Sequence, residues 1–217
     1  MITTALWTDY DGDGRLDLVT AGEWMGIEFY HNEGTKLVPV SVGLPPSRGW
    51  WWSLAAGDFN KDGRPDLIAG NLGLNFMLQT SPQSRLGIYA GSFAEAPTND
   101  IVLTQETGGK EYPVWGRARL GPTIYTAALR FPTYEGFANA TVEQLFGTAA
   151  LKRALHLQTD TFESVYLQND GNGTFTWTPL PNLAQLAPIR GLIARDVDGD
   201  GALDAILAVS LNDSEPN

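Results

Sequence analysis

Asp9-Tyr10-Asp11-Gly12-Asp13-Gly14-Arg15-Leu16-Asp17-Leu18 recurs twice more in one register. The other copies are Asp58-Phe59-Asn60-Lys61-Asp62-Gly63-Arg64-Pro65-Asp66-Leu67 and Asp196-Val197-Asp198-Gly199-Asp200-Gly201-Ala202-Leu203-Asp204-Ala205. Each reads DxDxDGxxD, with Asn60 as the one replacement. Ca2+ takes about six to eight oxygen ligands, and alternate positions of a tight loop turn their side chains inward. Positions 1, 3 and 5 are therefore candidate ligands: Asp9, Asp11 and Asp13; Asp58, Asn60 and Asp62; Asp196, Asp198 and Asp200. Glycine at position 6 permits the sharp turn. Position 7 (Arg15, Arg64, Ala202) is expected to offer its backbone carbonyl, and position 9 (Asp17, Asp66, Asp204) to close the cage. An EF-hand would carry a bidentate Glu at position 12, where this chain has Thr20, Ala69 and Leu207. Three Ca2+ sites of another kind are the expectation.

Short, branched, apolar runs flank every copy. Ala5-Leu6-Trp7-Thr8, Ser53-Leu54-Ala55-Ala56-Gly57 and Leu192-Ile193-Ala194-Arg195 precede the loops, and Leu18-Val19-Thr20, Leu67-Ile68-Ala69 and Ala205-Ile206-Leu207 follow them. Such runs read as buried strands, so the repeating unit is strand, acidic loop, strand. The same register laid over Ile88 to Leu103 finds a decayed fourth copy, in which Asp100 survives and positions 1, 3 and 5 are Ser92, Ala94 and Ala96. Its strands are expected to persist and its loop to hold no cation. Loop starts at 9, 58, 92 and 196 are separated by 49, 34 and 104 residues; the first step fits a four-stranded propeller blade of roughly 40 to 50 residues. Outer hairpins are expected at Ile27 to Leu37 and at Val165 to Phe175, where Asn-x-Gly and Asp-Gly supply turn residues. The fold class is all-β, built of β-propeller blades.

These repeats resemble the FG-GAP/VCBS family, calcium-loop propeller blades also found in integrin alpha heads. Gly49-Trp50-Trp51, Gly70-Asn71-Leu72-Gly73-Leu74-Asn75 and Gly109-Lys110-Glu111-Tyr112-Pro113 are similar to a bacterial branch related to cartilage acidic protein. The resemblance implies a calcium-binding propeller in an extracellular, periplasmic or cell-surface protein, and it supplies no catalytic residue.

Residues 110–160 lose strand alternation. Thr141-Val142-Glu143-Gln144-Leu145-Phe146 opens with a capping-box pattern and ends at Gly147, Thr148 to Leu155 starts another helix, and Gly121-Pro122 breaks a third over Ala118 to Phe131. A helical insertion is the expectation, either carrying function or only packing on a rim. Closed propellers have about four to eight blades. Four units fit into 217 residues, so the chain is expected to be a section of a larger propeller whose remaining blades are its partners, with a compact four-blade ring as the alternative.

The net charge is -11, and eleven Asp carboxylates of the loops carry much of it. This balance excludes nucleic acid as the expected partner, since that requires basic patches. No apolar run reaches the roughly 18 residues of a membrane span, and there is no signal-peptide pattern. Without cysteine there is neither disulfide nor thiol chemistry. His31 and His156 read as ordinary surface or packing residues, and Trp50-Trp51-Trp52 as packing rather than a sugar platform. No catalytic motif stands out. Two functions remain: a binding module for a protein or glycan ligand, or part of a propeller enzyme such as a polysaccharide lyase with its site on rim loops. A flat or aromatic face would favour the first, a cleft with converging His, Lys, Arg or uncommitted carboxylates the second.

Overall fold

The computed structural model describes residues 1–93, 99–122 and 124–210. Strands hold 43% and short helices 15% of the chain, and every named strand pair is antiparallel. The first blade is a meander of β1 (Ile2–Thr8), β2 (Asp17–Met25), β3 (Glu28–Asn32) and β4 (Leu37–Val40), with the first acidic loop joining β1 to β2. The far end of β2 turns to pair with β5 (Gly49–Trp50). β6 (Ser53–Gly57) and β7 (Asp66–Gly70) flank the second loop.

The chain forms two compact units, Met1–Met77 with Thr161–Asn217, and Leu78–Asp160. In the second unit, β8 (Leu86–Gly91), β9 (Asp100–Thr107) and β10 (Lys110–Pro113) make a meander. Five short helices follow: α1 (Arg117–Leu120), α2 (Tyr125–Arg130), α3 (Tyr134–Ala138), α4 (Val142–Phe146) and α5 (Thr148–Arg153). Thr141 caps α4 in a reciprocal box with Gln144, as its sequence demands. A second cap, Thr133 accepting from Gly136 N, starts α3, which the sequence reading did not contain. β11 (Leu155–Gln158) then adds to the open side of β8, giving the order β10-β9-β8-β11. Val142, Leu145, Phe146, Phe137, Leu120 and Ile124 seat the helices on Tyr89, Phe93 and Val102. The ends of this unit are tied together: Thr80 Oγ1 donates to Thr159 O at 3.1 Å, and the two hydroxyls lie 3.0 Å apart.

β12 (Val165–Gly171) and β13 (Thr174–Pro179) complete the second blade, in the order β13-β12-β7-β6. The hairpin expected at 165–175 is therefore the outer half of the blade that the second loop begins, and residues 71–164 run between its two middle strands. β14 (Ile189–Arg195) and β15 (Asp204–Val209) flank the third loop as a two-stranded sheet. Inner strands of successive blades are linked: Thr3 Oγ1 donates to Trp51 O at 2.5 Å, and Ser53 Oγ to Ile189 O at 2.7 Å. Trp51, Phe29, Val19, Leu67, Leu167 and Phe175 form the core of the first two blades, each such side chain contributing roughly 1.5–3 kcal/mol by burial. Trp51 is fully buried, Trp50 packs on Trp24 and Phe162, and Arg190 covers Trp52, so the tryptophan run does pack.

Candidate metal centre

The loops share one backbone design. Thr8 pairs with Asp17, Gly57 with Asp66 and Arg195 with Asp204, leaving residues 9–16, 58–65 and 196–203 outside the ladder. Position 4 as well as position 6 is left-handed: Gly12 and Gly14, Lys61 and Gly63, Gly199 and Gly201 all have φ between 61° and 85°. That conformation is strained for Lys61, which has a Cβ, and free for glycine. Position 1 folds the loop around itself. Asp9 Oδ2 accepts from Gly14 N, Asp58 Oδ2 from Gly63 N and Asp196 Oδ2 from Gly201 N, each at 2.9 Å. Positions 3 and 5 accept in turn from N–H groups two residues on, as in Asp13 Oδ1 with Arg15 N at 2.8 Å.

Asp17 and Asp66 are fully buried, and the two blades hold them with matching parts. Asn32 N donates to Asp17 Oδ1 at 2.7 Å, and Asn169 N to Asp66 Oδ1 at 2.8 Å. Arg15 Nε donates to Asn32 O and Arg64 Nε to Asn169 O, while their guanidiniums pair with Asp13 and Asp62. The Arg15 and Arg64 side chains thus lock the outer hairpin to the loop, a role beyond the backbone carbonyl expected of position 7. The clue was present: Asn32-Glu33-Gly34 and Asn169-Asp170-Gly171 repeat one turn, and each Asn Oδ1 accepts from its Gly N.

The blades differ in what faces the second oxygen of position 9. Asp66 Oδ2 accepts from Tyr166 Oη at 2.6 Å and from Phe59 N at 3.3 Å. Asp204 Oδ2 accepts from Val197 N at 2.9 Å. Asp17 Oδ2 is buried and has no protein partner. Burial raises the Asp17 pKa above its ordinary value; the Asn32 N–H opposes this, Asp11 adds to it, His31 opposes it and Asp13 adds to it. The neighbouring Tyr10 hydroxyl is pushed up to about 12, by burial first and then by Asp17, Asp11 and Asp13.

Ligand atoms of Asp9, Asp11 and Asp13, and of Asp196, Asp198 and Asp204, lie within 4.8 Å of one another, as do those of Asp11, Asp17 and His31. Asp58, Asp62 and Asp66 make no such group among the described residues; there Asn60 Nδ2 donates to Asp62 Oδ2 at 2.9 Å. The Asp9, Asp11 and Asp13 group and the Asp196, Asp198 and Asp204 group offer only oxygen, which suits a hard divalent cation, and the first loop adds Asp17 Oδ2, a buried carboxylate oxygen without a hydrogen-bond partner. His31, read as an ordinary surface or packing residue, lies in β3 with its Nδ1 2.9 Å from Asp11 Oδ2 and 3.3 Å from Asp17 Oδ1. His156, read the same way, is exposed and stacks on the Tyr89 ring. It lies on β11 with Nε2 2.9 Å from Glu111 Oε1.

Residues 9–69 match the FG-GAP-like repeat. The match runs from the first ligand of the first loop into β7, the strand that leaves the second. No curated protein and no solved structure matches the chain. The third loop lies outside the FG-GAP match yet repeats its register. The decayed copy keeps the frame too: Gly91 pairs with Asp100, and Phe93 N donates to Asp100 Oδ2 at 2.9 Å, the bond that Phe59 and Val197 make in their loops. Positions 3 and 5 of that copy, Ala94 and Ala96, lie outside the described residues. No helix among the described residues is long and apolar enough to cross a membrane.

Proposed function

We propose that this chain is a calcium-binding β-propeller-type module of a secreted or surface protein, of the branch related to cartilage acidic protein, and that it acts by binding a protein or glycan partner beside the remaining blades of its propeller. The buried Asp17 Oδ2, which has no hydrogen-bond partner, in a loop where ligand atoms of Asp9, Asp11 and Asp13 lie within 4.8 Å of one another, is the observation that supports the calcium reading. Asp9, Asp11, Asp13 and Asp17 with the Arg15 carbonyl hold one ion in this reading. Asp58, Asn60, Asp62 and Asp66 with the Arg64 carbonyl hold a second, and Asp196, Asp198, Asp200 and Asp204 with the Ala202 carbonyl a third. A bound Ca2+ supplies positive charge to loops whose carboxylates repel by roughly 1 kcal/mol per pair at 4 Å in water and about 4 at an intermediate dielectric. Extracellular calcium modules work at roughly 0.1–1 mM, which agrees with export to where calcium is plentiful.

Thermal melting in millimolar Ca2+ against EDTA tests this. A tenfold excess over Kd contributes about 1.4 kcal/mol per site, and each kcal/mol moves Tm by roughly 2–4 °C in a chain of this size. A rise of several degrees is expected, with Asp11→Ala and Asp198→Ala each removing one site in a calcium titration. Superimposable melting curves with and without calcium would overturn the reading.

A further inference from the structure

The second unit holds a cleft of about 710 Å³, inside the roughly 300–1,000 Å³ range of small-molecule sites. Glu111 on β10 and His156 on β11 belong to opposite edges of the sheet, yet they meet. Gly87 of β8 makes this possible. A Cβ there would stand 2.6 Å from Thr104 Oγ1, 3.1 Å from Glu111 Oε1 and 3.4 Å from His156 Nε2. A bare backbone in the middle of the sheet leaves the passage through which a carboxylate from one edge reaches an imidazole from the other.

Both Glu111 oxygens are taken by the protein. Tyr89 Oη donates to Oε2 at 2.6 Å, and Gln158 Nε2 donates to Oε1 at 3.1 Å, beside the His156 contact. Glu111 therefore acts through its neighbours rather than on a ligand. The Tyr89 ring lies parallel to the imidazole, with centroids 4.0 Å apart and 3° between planes. His156 is thus held at one nitrogen and across one face, with its side chain about a third exposed, 32%, in the cleft wall. Nδ1 is the nitrogen left for a ligand, already oriented, and such preorganisation lowers the entropic cost of binding.

The lining selects the ligand. Glu106, Glu111 and Glu143 line the cleft with Arg85 and Lys110, and Arg85 is already 3.4 Å from Asp160, so an anion meets an acidic balance. The Tyr112 hydroxyl also lines the cleft, and there the Asn139 amide keeps its oxygen and the Gln144 amide its nitrogen beside bonds to Glu135 O and to the Thr141 cap; hydroxyl and amide groups donate and accept, as sugar hydroxyls do. We propose that this cleft binds a neutral carbohydrate, with His156 contacting a sugar hydroxyl and Glu111 as its positioning residue. The proposal deepens the binding-module reading and uses none of the loop residues.

The chain has two histidines, so ¹⁵N-histidine labelling of the full chain gives His156 as reporter and His31 as internal control. Cellohexaose, xylohexaose, mannohexaose and, as a charged arm, an oligogalacturonate are titrated to millimolar levels, in Ca2+ and again in EDTA. At least one neutral hexaose is expected to shift the His156 ring resonances and leave those of His31 in place. His156→Ala should weaken that binding about tenfold, with His156→Gln restoring part of it, and neither should alter the calcium-dependent rise in Tm. Glu111→Gln should change the His156 tautomer signature before any sugar is added. A His156 response to no neutral hexaose, a response to the oligogalacturonate alone, equal shifts at both histidines, or cleavage of a probe into new reducing ends would each overturn the proposal. Loss of the calcium effect alone leaves it standing.

Discussion

The first and second loops carry nearly the same sequence on the same backbone, and they satisfy their central carboxylate differently. Asp66 meets Asn169 N, Tyr166 Oη and Phe59 N; Asp17 meets Asn32 N and keeps one buried oxygen unpaired. The second blade thus closes on its own hydrogen bonds, whereas the first leaves room for an outside charge. Two copies of one motif can accordingly differ in how far the protein itself satisfies their central carboxylate. Part of the difference lies in the motif, where Phe59 N donates to Asp66 and Asp17 Oδ2 has no such partner, and part lies away from it, at position 29 against 166. Both stand three residues before the paired asparagine, but Phe29 has no hydroxyl to give.

The strongest way to break this comparison is to remove each carboxylate in EDTA. Asp66→Ala strands buried donors and should cost roughly 2–4 kcal/mol, whereas Asp17→Ala should cost about 1 kcal/mol or less and abolish the calcium response of its loop. Equal losses by urea unfolding would show that the two loops are held alike. A smaller effect sharpens the same point: Tyr166→Phe should cost about 1 kcal/mol in EDTA, and less in Ca2+, because the freed Asp66 oxygen then resembles that of Asp17. A penalty indifferent to calcium would disconnect the tyrosine from the site.

Smallest, and opposite in sign, are the pH effects. The Asp17 pKa is raised in the fold above its ordinary 3.8, chiefly by burial, so in EDTA its contribution is full below that pH and is lost as pH rises through the folded value. For Glu111, burial pushes up, but hydrogen bonds from His156, Tyr89 and Gln158 and the charge of His156 together hold it below its ordinary 4.5. Its contribution is present above pH 4.5 and is lost as pH falls through the folded value. Acid unfolding curves of Asp17→Asn and Glu111→Gln in EDTA should therefore depart from the parent in opposite directions. Departures of the same sign would remove the distinction between a carboxylate awaiting charge and one already satisfied.

What was legible in the sequence was local. Three Asp-rich loops between apolar runs announce themselves because ligand alternation, glycine and flanking strands lie within about fifteen residues. The capping box at Thr141 was legible for the same reason. The pairing of β12 with β7, Val165 with Ala69, was not, since hydrophobic alternation shows that a strand exists and not which strand it meets. The meeting of Glu111 with His156 was hidden too: it depends on Gly87, a residue without a side chain in a strand with no polar pattern. The shared Asn-x-Gly of the two outer hairpins was the one long-range signal, and it reads as turn chemistry until the arginines that grasp both asparagines are seen.

The second blade also carries a cost in chain entropy. Its middle strands can pair only after residues 71–164 have been spanned, and a flexible loop that long costs roughly 3 kcal/mol more in chain entropy than a two-residue hairpin, at about 0.6 kcal/mol per doubling. The hydrogen bonds between Thr80 and Thr159 change the count. With the ends of the inserted unit drawn together, only residues 71–79 and 160–164 remain to be closed, so the insertion works as a clasp that lowers the entropic cost of shutting the blade around it.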